Sequence, residues 1–292
     1  MLVVHGDEMM ATPNLDAHET NRRSWNAVTI AHNSHKKDQA TFFRKGGSTL
    51  FPDEVELLGE LSGKNLLHLQ CNCGQDTLSL AHLGAKVTGV DISDDAIAFA
   101  RQLSADSGIP ATFERADLFA WLASAEPEQF DLVFSSYGVL GWLSNLSQWA
   151  RGIARALRPS GRFVLLEFHP TMTMLKVDWT PGFSSMGGVE EPFEEGIGDY
   201  VGYSGDAMTP SGHQEGIVDF VNPHPVIEFG WSVGDIATAL LDAGLRIEAL
   251  REYPYSNAYA PFEGFRRIEG NRFTMPENRP AIPMMLGIVA TK

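Results

Sequence analysis

The amino-acid sequence predicts an α/β fold, an open and mostly parallel sheet with helices on both faces. Three observations carry that expectation. Residues 65–91 run strand, tight turn, helix and second strand without a break, the outline of a βαβ unit. The alternation of short apolar runs with helical stretches continues to Phe168 and resumes after Phe229. A chain of 292 residues with 43% hydrophobic content also has enough apolar surface for a substantial core.

Residues 1 to about 15 are polar and without periodicity, and are expected to be disordered or extended. From Asn21 to Leu50 the chain offers a short helix around Trp25 and a polar, aromatic-tipped segment, before Phe51-Pro52 opens the first core helix. The run Asn65–Leu69 suits a buried parallel strand, Gly74 lies where the backbone must turn, and Asp76–Leu83 is a helix stopped by Gly84. Lys86–Val90 is the next strand and delivers Asp91 at its carboxyl end. Ala111–Ala116 is a third strand ending at Asp117-Leu118, and Phe130–Phe134 a fourth that runs into Ser135–Trp142. Arg151–Leu157 reads as a helix ended by Arg158-Pro159-Ser160-Gly161, with Arg162–Phe168 as the fifth strand. Gly230–Ala243 is a helix closed by Gly244, followed by strands at Leu245–Tyr253 and Met284–Thr291.

An acid at the end of the second strand, roughly twenty residues past the turn, is placed to accept hydrogen bonds from both ribose hydroxyls of an adenosine. Asp91 therefore points to an adenosine cofactor. At this point the chain resembles the class I S-adenosylmethionine (SAM) dependent methyltransferases, whose usual first motif is acid-x-Gly-x-Gly-x-Gly. Aligned on Gly74, the family acid falls on His68, the first glycine on Gln70 and the second on Asn72, so only Gly74 is kept. A dinucleotide site needs glycines so that backbone N–H groups reach a pyrophosphate, whereas SAM carries a sulfonium and an amino acid end. Gln70 and Asn72 offer side-chain amides to such a zwitterion, so the lost glycines argue against NAD more than against SAM.

The strand order, the "LRPSGRF" turn and the strings HLQCNCGQDTLSLA and EFHP extend the likeness, which looks like one bacterial subgroup of small-molecule methyltransferases. The resemblance implies a Rossmann-like sheet of seven strands with the last one antiparallel. It also implies site roles. Gln70, Asn72, Gly74 and Gln75 would hold the amino acid end of SAM, Asp91 the ribose with Ile92 beside it, Asp117 and Leu118 the adenine, and the segment from Ser135 to Tyr137 the methionine side. Residues 1–50 would be an arm and lid, in the resembled enzymes sometimes contributed by a neighbouring subunit, so a homo-oligomer with an exchanged lid is one expectation. Trp25, His32, His35, Phe42 and Phe43 are its candidate site residues.

A formal net charge of -15 repels nucleic acid and anionic membranes at long range and favours neutral or cationic small acceptors. No run of about 18 apolar residues spans a membrane and the N-terminus lacks a basic-then-apolar layout, so a cytoplasmic protein is expected. Cys71 and Cys73, one residue apart, suit neither a strain-free disulfide nor a complete zinc site. No metal is expected.

The core is divided: residues 51–168 form its first part and 230–292 its C-terminal part, with an insertion at 169–229. So long a loop is uncommon unless it forms a functional cap, and its origin at the carboxyl edge of the sheet puts it above the ligand site. It is expected to bind the acceptor and to be partly β, with Gly216–Val221 pairing Val226–Trp231. Glu190, Glu191, Glu194 and Glu195 would favour a cationic acceptor or form a solvated face.

Methyl transfer is an in-line displacement that needs alignment, exclusion of water and, for some acceptors, removal of a proton. His169, just past the fifth strand, is the first candidate base, against a structural hydrogen bond that fixes the turn before Pro170. Tyr137 would orient the acceptor or contact the methyl, and His213, His224 and Glu228 are further candidates in the cap. The sequence thus reads as a methyltransferase acting on N or O of a small molecule, placed in bacterial secondary metabolism. Transfer to carbon, a SAM-binding protein or cyclase without transfer, and an NAD-dependent oxidoreductase stay open as alternatives.

Overall fold

The computed structural model describes residues 12–292; the expectation for residues 1 to about 15 falls mostly outside them. A helix much longer than the one expected around Trp25 comes first, α1 (Leu15–Ser34), capped by the Asn14 side chain, which accepts from the Ala17 N–H at 3.1 Å. Then come α2 (Gln39–Arg44) and α3 (Pro52–Leu58). The βαβ unit follows as β1 (Asn65–Leu69), α4 (Gln75–His82) and β2 (Lys86–Asp91), within a residue or so of the bounds read from the sequence. Next are α5 (Asp94–Ser107), β3 (Thr112–Arg115), α6 (Leu118–Ser124), β4 (Phe130–Ser136), α7 (Leu146–Ala156) and β5 (Leu157–Phe168). Helix α7 starts at Leu146 rather than Arg151, because Asn145 caps it by accepting from the Gln148 N–H at 2.8 Å.

The sheet runs in the order β3-β2-β1-β4-β5 and is completed by two strands from the C-terminal part, β12 (Met285–Thr291) and, beyond it, β8 (Arg246–Tyr253). All of its neighbours pair in parallel except β12, which lies antiparallel to both β5 and β8. This is the Rossmann-like sheet of seven strands that the sequence implied. The Arg158–Gly161 turn appears as a break in register inside β5: Phe130 faces Leu157, but Leu132 already faces Arg162.

Alternate residues of the central strands feed two apolar layers, as strands buried on both faces require. On one face Leu67, Leu69, Val133 and Leu165 pack under α6, α7 and α10 (Val233–Asp242), with Trp149 and Ile153 fully buried. On the other, Leu66, Leu132, Phe134 and Val164 pack under α3 and α4 through Leu57, Leu58 and Leu80.

Two excursions leave the sheet on its carboxyl side. The first contains α8 (Pro170–Thr173), β6 (Val189–Phe193), α9 (Tyr200–Ser204) and β7 (Val226–Gly230). Strand β7 does form, but its antiparallel partner is β6 and not Gly216–Val221. The latter segment is held instead by the end of α1: Gln214 donates its backbone N–H to His35 O at 2.9 Å, and the Ile217 N–H donates to Ser34 Oγ at 2.9 Å. The second excursion, between β8 and β12, is a small antiparallel sheet of β9 (Tyr255–Asn257), β10 (Arg266–Ile268) and β11 (Arg272–Thr274), not foreseen from the sequence. Among the described residues no helix is long and apolar enough to cross a membrane.

Candidate active site at the carboxyl edge of the sheet

The β1–α4 turn keeps the backbone of a glycine turn with two of its glycines replaced. Gly74 has φ +76°, and Gln70 and Asn72, on the other two glycine positions, adopt φ +52° and +48°. A Cβ on Gly74 would lie 2.7–2.8 Å from Phe113 and Ala100, so this position has no alternative residue. Side-chain hydrogen bonds hold the other two. Gln70 Nε2 donates to Val139 O at 2.9 Å, and Asn72 Oδ1 accepts from the Cys73 N–H at 2.6 Å. His68, where the resembled family carries an acid, is buried, bonds Thr77 Oγ1 through Nδ1 at 2.8 Å, and is pushed down to about 3 by desolvation, so it is neutral.

Asp91 closes the turn by accepting from the Asn72 and Ser93 N–H groups, each at 2.8 Å. Burial raises its carboxyl above the usual range against these donors. Asp117 accepts from the Phe119 and Ala120 N–H groups at the start of α6 and meets His18 Nδ1 at 2.7 Å, while His18 Nε2 lies 2.8 Å from Ser144 Oγ. Burial pushes the Asp117 carboxyl up, but His18 and the backbone donors outweigh it and hold it below its ordinary value.

Beyond β4 the chain turns at Tyr137, φ +47°, over the end of β5. Glu167 fixes that turn. Its buried carboxylate accepts from the backbone N–H groups of Gly138, Val139 (2.7 Å), Leu140 (3.1 Å) and Phe168 (2.6 Å). Tyr137 Oη accepts from Asn257 Nδ2 of β9 at 2.8 Å. Burial and then the Glu54 charge hold its phenol well above the usual value, so Tyr137 is a hydrogen-bonding group and not a base near neutral pH.

Above these turns opens a cavity of about 1100 Å³. Of the residues predicted for the site, Trp25, Gln70, Asn72, Gly74's neighbour Gln75, Asp91, Ile92, Asp117, Leu118 and Tyr137 line it, as do His32, Phe42, Phe43 and Glu228. Gly74 itself shapes the turn from below. Ser135, His35, His169, His213 and His224 are not among its lining residues. Of the segment from Ser135 to Tyr137, Ser136 and Tyr137 line the cavity, while Ser135 is wholly buried. His35 is turned to α9, its Nε2 2.6 Å from Asp199 Oδ2, and the next residue, Lys36, borders the cavity in its place. His169 caps α8: its Nδ1 accepts from the Thr171 N–H at 3.0 Å, and its Nε2 faces Glu252 Oε1 of β8 at 3.0 Å. With both ring nitrogens engaged away from the cavity, His169 is the anchor of the turn before Pro170 and not a base at this site.

Helix α1 lies along the cavity. Asn21 pairs with the backbone of Ile227 in β7, donating to its carbonyl at 2.7 Å and accepting its N–H at 2.8 Å, and Arg22 reaches Asp94 at the start of α5. Trp25 meets Trp142 edge to face at 5.5 Å. Lys36, Glu167, Asn257 and the tyrosines 200, 203 and 259 line the cavity without having been read from the sequence. Glu167 lay within the predicted fifth strand, where its inward orientation carries no signal.

Comparison with known proteins agrees with this geometry. Residues 66–161 match the family described as "Methyltransferase domain". The chain is similar to the ubiquinone biosynthesis O-methyltransferase of Bordetella pertussis, 32% identical over 106 residues, 36% of this chain and 43% of that protein. Its counterpart in Proteus mirabilis is 30% identical over 119 residues, 41% and 46% of the two chains. The chain thus spans less than half the length of the curated relatives it matches. Among solved structures, a SAM-dependent methyltransferase from Mesorhizobium loti superposes with TM-score 0.52 at 23% identity, covering 82% of this chain and 96% of that one. A putative SAM-dependent methyltransferase from Listeria monocytogenes gives 0.53 at 18% identity, covering 82% and 95%. These two share the fold.

Proposed function

We propose that this chain is a class I SAM-dependent methyltransferase, a reading its methyltransferase-domain match and its relatives support, and that it transfers a methyl group to nitrogen or oxygen of a small molecule held beside the cofactor in one cavity. The observation that carries the reading is the extent of that cavity. Sites of about 300–1,000 Å³ hold one drug-sized ligand. This one, about 1100 Å³, runs from the Gly74 turn and Leu118 to an aromatic wall of Phe168, Tyr200 and Tyr259. The cofactor end and the aromatic end are parts of the same space.

The residues present fit SAM. Gln70 Oε1 is a buried acceptor without a partner among the described residues, at the edge of the cavity. Gln70, Asn72 and Gln75 flank the place of the amino acid end, with Gly74 keeping the backbone clear. Asp91 stands at the strand end for the ribose with Ile92 beside it, Asp117 and Leu118 border the adenine end, and Tyr137 the methionine side. Bound SAM supplies a methyl group on a sulfonium, which needs no protein nucleophile. What the chain contributes is alignment and dryness. The Glu167 clamp fixes the loop under the reacting end, and Trp25, Trp142 and Phe42 exclude water from above. Residues 1–50 then act as a lid and 169–229 as the acceptor cap. The relatives' O-methyltransferase names support transfer to a heteroatom.

Isothermal titration with SAM and S-adenosylhomocysteine (SAH) tests the cofactor half, with micromolar binding of both expected. Asp91→Ala should weaken both more than tenfold, since hydrogen bonds to a charged group are worth ~1.5–3 kcal/mol. Binding of neither ligand to the wild-type protein overturns the reading, and an unchanged affinity in Asp91→Ala overturns the ribose assignment.

A further inference from the structure

The cavity is lined by seven carboxylates and a single Lys or Arg, Lys36. Most of the acids are already engaged. Asp91, Asp117 and Glu167 accept backbone donors, Asp76 is bonded by Thr49 Oγ1, and Glu191 Oε1 accepts from the Ser184 N–H at 2.8 Å. Glu195, in the stretch before α9, and Glu228 are both exposed and without a hydrogen bond or ion pair among the described residues. Of the two, Glu228 is the one fixed on a strand. It lies on β7 directly opposite Glu191 of β6, opens onto the cavity, and receives no hydrogen bond or ion pair among the described residues.

Its position is as telling as its lack of a partner. Glu228 Oε2 is the nearest atom to where a Cβ on Gly141 would stand, at 4.0 Å, so the carboxylate reaches the loop that carries Tyr137 past the end of β4. Tyr259 lies close enough to feel its charge, and the Tyr259 ring stands 5.1 Å from Phe168 and 6.3 Å from Tyr200. An unpaired carboxylate that shares a cavity with clustered aromatic faces makes a surface for an organic cation and repels an anion. Glu228 is exposed to the open cavity, and desolvation by the surrounding walls and then the Glu191 charge shift its carboxyl upward, toward the range in which a carboxylate exchanges protons at neutral pH. Glu191 on β6 and Tyr259 after β9 are the titratable groups that face it.

We propose that the acceptor is a small amine, docked as its ammonium ion on Glu228 against these rings, and that Glu228 is the base which accepts the proton the attacking nitrogen must shed. This deepens the methyltransferase reading and rests on it. Proton transfer leaves a neutral amine and a protonated Glu228. The nitrogen lone pair then forms the new N–C bond while the S–C bond breaks, its electron pair remaining on sulfur. The products are a methylated ammonium ion and the neutral thioether, and Glu228 returns its proton to water when the site opens. Glu228, on β7 of the cap, takes the role of base that the sequence first suggested for His169.

The test uses the full chain loaded with SAH, titrated with a panel of primary amines from methylamine to phenethylamine and tryptamine, each beside its alcohol and carboxylate isosteres. Turnover with SAM is then scored by SAH release. At least one amine should bind and be methylated, with its isosteres tenfold or more weaker. Glu228→Gln should weaken that amine tenfold or more while SAH affinity, which reports an intact cofactor half, stays within twofold. Glu191→Gln should move the acid limb of the amine's pH–rate profile to lower pH, a shift that a merely structural carboxylate would not produce. No amine binding the SAH-loaded protein, an alcohol or carboxylate binding as well as its amine, or full amine affinity in Glu228→Gln each overturns the proposal. Failure to bind SAH at the outset would instead sink the methyltransferase reading itself, so the two failures are distinct.

Discussion

A methyl group at position 74 has nowhere to go: Phe113 and Ala100 already occupy its space, and φ +76° disfavours any L side chain. Gly74→Ala is therefore expected to cost about 2–4 kcal/mol, from overpacking and the left-handed penalty together. Urea unfolding should show it as a lower midpoint at unchanged slope. A loss below about 0.5 kcal/mol would mean that the turn relaxes and that its shape is not what selects glycine. The same turn holds Gln70 and Asn72 at positive φ with hydrogen bonds that a glycine lacks, a local one from the Cys73 N–H to Asn72 and a long-range one from Gln70 to Val139 O. That is why one glycine out of three was enough to identify the turn: the sequence reading found the position with no steric alternative, and the two replaced positions kept their backbone conformation by other means. Phase was harder to read. Ser135 and His35 were each one residue from a cavity-lining neighbour, Ser136 and Lys36, because a site cut across a strand end or helix end selects alternate residues, and chain order does not say which.

The elements of the central sheet were legible because parallel strands buried on both faces leave long apolar runs, as Leu66–Leu69 and Phe163–Leu166 do. The cap was not. Gly216–Val221 alternates like a strand, yet its Ile217 N–H is taken by Ser34 Oγ at the end of α1, and β7 pairs with the Glu-rich β6, whose polarity hid it. The small β9–β11 sheet is held by a polar knot that no hydropathy pattern reveals. Arg272 donates to Asp53 at 2.7 Å and to Asn257 at 3.1 Å, and Asn257 carries the contact to Tyr137. Helix α1 was read too short, since its apolar face is only one strip, in which Val28 and Ala31 are fully buried against the cap and core. Because that strip roofs the cavity with Trp25, His32 and Lys36, deleting residues 1 to 45 should abolish SAH release from SAM plus acceptor. The truncated protein should also show a rise in apolar dye binding from the uncovered cavity. Full turnover in it would dispose of the lid.

For the whole molecule, charge and burial act in one direction with pH. The formal net charge of -15 strains the compact state by self-repulsion, and acidification relieves it. Burial raises the carboxyls of Glu54, Asp76, Asp91 and Glu167, so the folded state binds more protons than the unfolded chain over an interval that starts at their ordinary values, 3.8 to 4.5, and extends upward from there. Stability then falls as pH rises through that interval, since the slope follows the protons bound unfolded minus those bound folded, which is negative there. Groups of the opposite kind set the acid limit. Glu19 is held down to about 2 by Arg22, and its contribution, present above 4.5, is lost as pH falls toward 2. The ligand-free protein should accordingly melt highest near pH 5, with a lower Tm at pH 8 and again below pH 4. Calorimetry across that range at constant ionic strength measures it. A Tm that rises steadily from pH 5 to pH 8 would mean that the buried carboxylates are ionised at little cost, and that the cavity is better hydrated than its packing implies. A cationic ligand changes the balance in a predictable way. Placed among these carboxylates it favours their charged forms, so saturating SAM should raise Tm more at pH 8 than at pH 5 and flatten the profile, and added salt should reduce that gain.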